Sequence, residues 1–319
     1  MKQLQKLFAL TTLCLLVGLA CEHASAQTSA ISSPESAPSS ARPVTIPLTI
    51  NVKDAKPEAE IQTIDLTVNE DGEPQTVLSI RAMATNSPIT LAILVQDDLV
   101  SSIGNEMKSL AEFVRRLPRG SRVMIGYIRT GTLQVRQKFT TDLEKAAKAL
   151  RPPNGLASAA PYNPYVEVIE AIKRFESQPA GRRAILLLSD GLDTSRGVDS
   201  SSPTQSLDLQ RAINEAQRKS IAVYSFFAPT VAAANFPLLI SNAQSSLQKL
   251  ADESGGRAFF QGTGVPVSFD PFIRELDRAL EKQVALTFLS THANKGFHKI
   301  SVRSSSPGVD VHYPSGYYR

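Results

Sequence analysis

Four aspartates stand directly behind two apolar runs. Residues 89–95 lead into Gln96-Asp97-Asp98, and residues 184–188 lead into Ser189-Asp190-Gly191-Leu192-Asp193. A short apolar run that stops at turn residues reads as a strand buried on both faces of a parallel sheet. In such sheets ligands gather at the carboxyl ends of the strands, so Asp97 and Asp190 are placed to converge. Two converging carboxylates repel and one pKa rises, unless a cation relieves them. An all-oxygen set suits a hard ion, Mg²⁺ or another divalent cation. The other use of an aspartate after a strand is to cap the next helix or loop. Asp98 and Asp193 could extend the acidic group, but solvated loop positions explain them more simply.

The elements that must hold these residues are set by periodicity. Residues 103–117 carry a helical stripe of Ile103, Met107, Leu110, Val114 and Leu117, stopped by Pro118 and Gly120. Residues 122–128 and 133–139, joined through Gly131, read as a hairpin that adds one antiparallel strand to the sheet edge. Helices are expected over 143–150, from Val166 to Phe175, over 207–218, around Leu247 and Leu250, and after Asp270-Pro271, with strands at 221–227 and 257–260 between them. Strand-helix alternation from about residue 89 to 282 predicts a doubly wound, mostly parallel α/β sheet with helices on both faces.

Outside that region the pattern changes. Residues 44–52, 61–68 and 76–81 alternate apolar and polar side chains, as do 284–289, 300–303 and 309–313. Period-two alternation with turn signals predicts half-buried antiparallel strands. Three strands are too few to close a sandwich alone, so the two sets are natural partners. The expected organisation is a small β-rich domain built from residues 44–85 and 284–319, with an α/β domain at 86–283 inserted into it.

The N-terminus reads as an export signal. Lys2 and Lys6 precede an apolar core at 7–20, and Ala24-Ser25-Ala26 offers a cleavage site, which makes 1–26 a signal peptide and 27–43 a Ser/Ala/Pro-rich tether. Lipoprotein processing at Cys21 ranks second, because Gly18 stands where a branched apolar residue is usual. The apolar core is too short for a comfortable membrane span. Cys14 and Cys21 are the chain's only cysteines, so the exported part has no disulfide, thiol nucleophile or zinc-thiolate site. A net charge of +4 without a basic block argues against nucleic acid.

Four segments together resemble the von Willebrand factor A-type domain, in particular the exported bacterial VWFA-related family. Residues 65–75 (DLTVNEDGEPQ) are similar to that family's F-x-V-x-E-D-G-x-P-Q segment. Residues 91–101 stand where its Asp-x-Ser-x-Ser loop follows the first strand, residues 187–191 resemble its Ser/Thr-Asp-Gly loop, and residues 250–260 (LADESGGRAFF) match its passage from helix to strand. The resemblance implies a Rossmann-like fold that binds proteins rather than catalysing. It also implies a metal-ion-dependent adhesion site, built from an aspartate and two hydroxyls, a threonine and a second aspartate. Here the first loop reads Asp97-x-Leu99-x-Ser101, preferred because Asp97 is nearer the strand end, or Asp98-x-Val100-x-Ser102. The second loop, 156–162, has no threonine and only Ser158. Asp97, Ser101 and Asp190 are the ligands that remain, an incomplete set.

Other chemistry finds little footing. No Gly-x-Ser-x-Gly, phosphate-binding loop or His-Glu-x-x-His is present. His292, His298 and His312 lie near one C-terminal hairpin, where exposed positions account for them better than a metal. Phe236, Leu238 and Leu239 form an apolar run in the loop 228–241; with Tyr162 and Tyr165 they could rim a partner site, or fold down as extra core. The function expected is an exported, non-enzymatic binding module that takes a protein or peptide at the strand-end edge. Alternatives are a scaffold that binds through apolar loops without metal, and a Mg²⁺-dependent hydrolase on the same edge.

Overall fold

The computed structural model describes residues 41–52, 65–83, 87–233 and 235–319. The signal peptide, all but the last few tether residues and the start of the expected 61–68 strand lie outside them. No described helix is long and apolar enough to cross a membrane.

The fold is α/β. Its central sheet has six strands in the order β6-β5-β4-β7-β8-β9: β4 (Ile89–Gln96), β5 (Arg122–Arg129), β6 (Thr132–Thr140), β7 (Arg182–Ser189), β8 (Ala222–Phe227) and β9 (Ala258–Phe259). All pairings are parallel except β5 with β6, the hairpin expected at the edge. Every residue of β4 is buried, and the reason is visible in its two faces. Leu91, Ile93 and Val95 pack with α1 (Met107–Arg116), α2 (Leu143–Lys148) and α6 (Asp270–Glu281), while Ala92 and Leu94 pack with α3 (Pro164–Arg174), α4 (Leu207–Arg218) and α5 (Pro237–Ser254). A strand covered twice needs apolar side chains on both sides.

The second sheet joins the two chain ends. Its order is β12-β1-β10-β3-β2-β11-β13, from β1 (Arg42–Val52), β2 (Leu66–Glu70), β3 (Glu73–Ala82), β10 (Gln283–Ser290), β11 (Phe297–Ser304), β12 (Val309–His312) and β13 (Gly316–Tyr318). All its pairings are antiparallel, and one face is buried, as the alternating exposure along β10 and β11 requires. The sheet rolls up. Tyr317 on the β13 edge meets Phe288 on β10 at 6.1 Å between ring centroids, although three strands separate them in the order. Rolling buries Ile46, Leu48, Val68, Leu286, Phe288 and Ile300 together, so no second sheet is needed to make this core.

Arg182 fastens the start of β7 to the junction between the sheets. It donates to the carbonyls of Ser87 and Leu280 and to Oε1 of Gln283. The Gly255-Gly256 step explains part of the 250–260 motif. Gly255 takes the left-handed conformation that ends α5 (φ 84°). Gly256 lies so close to β8 that a Cβ would fall inside the Val223 carbonyl.

Candidate functional site

Parallel pairing of Val95 with Leu188 sets the ends of β4 and β7 side by side. Gln96, fully buried, joins them: its Oε1 accepts from Ser189 Oγ at 2.5 Å and from the Asp190 amide at 3.2 Å, and its Nε2 donates to Asp98 Oδ1 at 2.9 Å. Gly191 turns the chain away with φ 69°, in a space where a Cβ would strike Leu247 and the Ala243 carbonyl. This gives the Ser-Asp-Gly loop its physical basis.

The structure pairs Asp190 with Asp98, not with Asp97. Burial pushes the Asp190 carboxyl up to about 7, and the charge of Asp98 adds to the rise. Burial likewise raises Asp98, against the bond from Gln96, and Asp97 contributes in the same direction. Two carboxyls then share a site by one of them keeping its proton. The solvated positions expected for Asp98 and Asp193 are corrected: both are buried. Asp193 Oδ1 accepts from the Ser195 amide and hydroxyl, and its Oδ2 from Ser206, the N-cap of α4.

Asp97 faces the other way and is fully engaged. Arg151 donates to Oδ1 at 2.6 Å and to Oδ2 at 3.0 Å. Asn154 adds its amide to Oδ1 at 3.1 Å and its side chain to Oδ2 at 2.8 Å, and Arg129 Nη1 lies 3.7 Å from Oδ2. The guanidinium of Arg151 also sits 4.0 Å over the Tyr127 ring, whose hydroxyl both donates to the Arg151 carbonyl and accepts from its amide. Each oxygen of Asp97 therefore meets two N–H donors, and no coordinating lone pair is left for an ion. Ser101 opens an exposed 3₁₀ turn, Ser101–Glu106. Leu99, in place of the family's central serine, is buried and bridges Thr230. With both Asp97 oxygens taken by Arg151 and Asn154, the residues present do not fit the adhesion-site ion.

Around this edge the loops expose apolar side chains. Tyr162 is 68% exposed, Phe236 57%, Leu238 67% and Val231 65%. Leu239 instead packs against the core, because α5 already begins at Pro237 and the helical turn sets Leu239 toward the core while Leu238 stays outside. Tyr165, also considered for the rim, is buried and donates to the Gly191 carbonyl. Tyr162 holds a positive φ of 60°, rare for a bulky residue, while its carbonyl accepts from Thr194 at 2.7 Å.

Glu70, Asp71 and His298 form a second group that could hold a metal ion, with one ligand atom from each within 4.8 Å of the others. The exposed setting expected for the histidines is corrected at His298, which is 4% exposed. Burial works to lower its pKa, but the Asn294 carbonyl and the carboxylates of Asp71 and Glu70 outweigh it and raise the ring. Sequence periodicity missed this group, since its members come from strands far apart in the chain. The E-D-G segment was the available signal. Arg151, opening a Pro-Pro loop, carried none.

No family model matches the chain, and no curated protein matches it. Solved structures do. An aerotolerance-related membrane protein from Bacteroides fragilis NCTC 9343 is 12% identical, covering 61% of this chain and 100% of that one at a TM-score of 0.42. BatB from Bacteroides thetaiotaomicron, described as a conserved hypothetical protein, is 14% identical over 60% of this chain and 98% of its own, also at 0.42. A von Willebrand factor type A protein from Catenulispora acidiphila is 11% identical, over 78% of this chain and 71% of that one, at 0.44.

Proposed function

We propose that the chain is an exported, non-enzymatic binding module of the von Willebrand A-related kind, engaging a protein or peptide at the strand-end edge through its apolar loops and without a metal ion. The observation that carries this reading is the Tyr162 side chain, turned to solvent from a backbone conformation that costs a bulky residue energy. Strain of that kind persists where surrounding structure enforces it, and clusters at functional positions. Val231 and Phe236 in the preceding loop and Leu238 in the first turn of α5 extend the exposed apolar surface. Closure of Asp97 by Arg151 removes the electrophile that both a carboxylate-capturing adhesion site and a Mg²⁺ hydrolase would need.

Residues 44–85 and 284–319 make up a support domain and 86–283 the inserted binding domain; the interleaved order of N- and C-terminal strands in the seven-stranded sheet supports that division. Export rests on the leader sequence.

The test uses Phe236→Asp and Leu238→Asp together, with a photo-cross-linking residue in place of Tyr162 in a parallel preparation. The double variant should keep its thermal midpoint and lose capture of the ligand that the Tyr162 probe cross-links in envelope extracts. Capture by the parent should be indifferent to EDTA. Undiminished capture by the double variant, or its loss in EDTA, would overturn the reading.

A further inference from the structure

The turn between β2 and β3 is built around a carboxylate that lacks a partner on one side. Glu70 is fully buried at the end of β2. Its Oε1 accepts from Tyr317 Oη at 2.6 Å and from Ser290 Oγ at 3.1 Å. Its Oε2 has no hydrogen-bond partner. The nearest basic atom is Nδ1 of His292, 3.3 Å away, and that nitrogen is also buried and without a hydrogen bond. The two atoms are close, yet not aligned on each other.

His298 presents the same problem from β11. Its Nε2 lies 2.9 Å from the Asn294 carbonyl, which can only accept, so Nε2 carries the hydrogen. Its Nδ1 then faces two acceptors, Asp71 Oδ2 at 2.8 Å and Glu70 Oε1 at 3.3 Å. In a neutral ring that nitrogen offers a lone pair to two carboxylates. Something positive must lie between them, either a proton or a metal ion. A proton on His298 would answer the Asp71 contact but leave Glu70 Oε2 and His292 Nδ1 unsatisfied. One ion would answer all four groups.

Three of the four groups are spaced for such an ion. One ligand atom each from Glu70, Asp71 and His298 lie within 4.8 Å of one another, close to the ~3.3 Å edges of a tetrahedral site, and His292 Nδ1 lies 3.3 Å from the second Glu70 oxygen, Oε2. Two imidazoles with two carboxylates favour a first-row transition metal over Mg²⁺ or Ca²⁺. The supporting contacts are those a metal-ligating histidine takes: the far nitrogen of His298 donates to a carbonyl, and Glu70 is itself held by Tyr317 and Ser290. Asp71 is fixed by the Lys299 amide on its Oδ1 at 2.8 Å, leaving Oδ2 to point inward.

We propose that Glu70, Asp71 and His298 hold a zinc-class ion, with His292 drawn in from beside Glu70 as the fourth ligand, and that the ion staples the β2–β3 turn to β11 and to the loop between β10 and β11. Sites with four protein ligands are structural, and the exported part of this chain has no disulfide to do the same work.

The test is a titration of the full chain, stripped with chelator, carrying Cys14→Ser and Cys21→Ser so that no thiol competes. Zn²⁺ should bind once per chain and raise the thermal midpoint, and Co²⁺ should give the intense visible absorption of a tetrahedral site. His292→Ala, in the loop between β10 and β11, and Asp71→Asn, which keeps the bond to Lys299, should each weaken Zn²⁺ more than about 100-fold, since a direct ligand matters at least as much as its supporting residues. Asp190→Asn at the other edge should bind as the parent does. No Zn²⁺ binding by the folded parent, or parental affinity in His292→Ala and Asp71→Asn, would overturn the proposal.

Discussion

The Arg151 guanidinium holds the buried Asp97 carboxylate with two bonds of 2.6 and 3.0 Å, at the strand end where the resemblance implied a metal ligand. A cation does meet this carboxylate, but it is supplied by the loop at 151–154 and cannot leave. The consequence is a strand-end edge whose charge is neutralised internally. On the proposed reading, affinity at this edge comes from apolar contact rather than from an exposed electrophile.

Arg151→Ala should therefore be costly. Asp97 would remain buried with Asn154 and only the more distant Arg129, 3.7 Å away, and orphaning one partner of a buried pair costs about 3–5 kcal/mol. We expect the low end, about 3 kcal/mol, because Arg151 is a quarter exposed while Asp97 has no exposed surface. Urea unfolding of Arg151→Ala measures it. The paired variant Asp97→Leu with Arg151→Met should recover most of the loss, since the charge and its partner leave together. A double variant as unstable as the single one would mean that packing against Tyr127, rather than the ion pair, carries the stability.

Asp190 gives the edge a pH dependence of known sign. Its carboxyl titrates near its ordinary 3.8 in the unfolded chain and about 7 when folded. Between those values the folded chain keeps a proton the unfolded chain has lost. The contribution is fully present below about pH 4 and is lost as pH rises through 7, by at most about 4 kcal/mol. Asp190→Asn cannot lose that proton. Comparing urea midpoints at pH 5 and pH 8, the parent should fall more steeply than the variant. Parallel behaviour would mean that Asp190 is ionised throughout.

The sheet was legible in the sequence because burial on two faces writes itself as unbroken apolar runs, as in residues 89–95 and 184–188. The hairpin of β5 and β6 was legible for the same kind of reason, through Gly131. The site was less so. Asp97 and Asp98 share the turn that follows β4, and nothing in their sequence tells which one faces Asp190. The partner of Asp97 lies 54 residues away in a proline-rich loop, beyond the reach of any local pattern. The helical start at Pro237 was hidden by an apolar run that reads equally as loop, which turned Leu239 from a rim residue into a core one.

Gly256→Ala should be far more damaging than Gly72→Ala. At Gly256 an added methyl meets the backbone of Val223 near the start of β8, which cannot move without opening the sheet. Overpacking against backbone costs about 3 kcal/mol or more. Gly72 has a positive φ of 92° but open space around it, so an alanine there bears only conformational strain of about 1–2 kcal/mol. Thermal midpoints of the two variants separate a steric requirement from a torsional one. Equal shifts would show that β8 gives way.

Glu167 tests whether a buried acid is being tolerated or used. It lies in the first turns of α3, 1% exposed, with neither carboxylate oxygen hydrogen-bonded. Burial pushes its pKa up from 4.5 to about 7, and Glu170 and Asp208 push it the same way. The sign is that of Asp190: the folded chain holds the proton, and stability is lost as pH climbs from about 4.5 through 7. Methionine has nearly the helix propensity of glutamate and similar length, without a group that must be desolvated. Glu167→Met should then be more stable than the parent at pH 8, by at most about 3 kcal/mol, with a smaller gain at pH 5, where the parent's acid is neutral. Chemical unfolding at the two pH values reads both numbers. A methionine variant weaker than the parent at pH 8 would show that the carboxylate is ionised and solvated there, and that α3 depends on its charge.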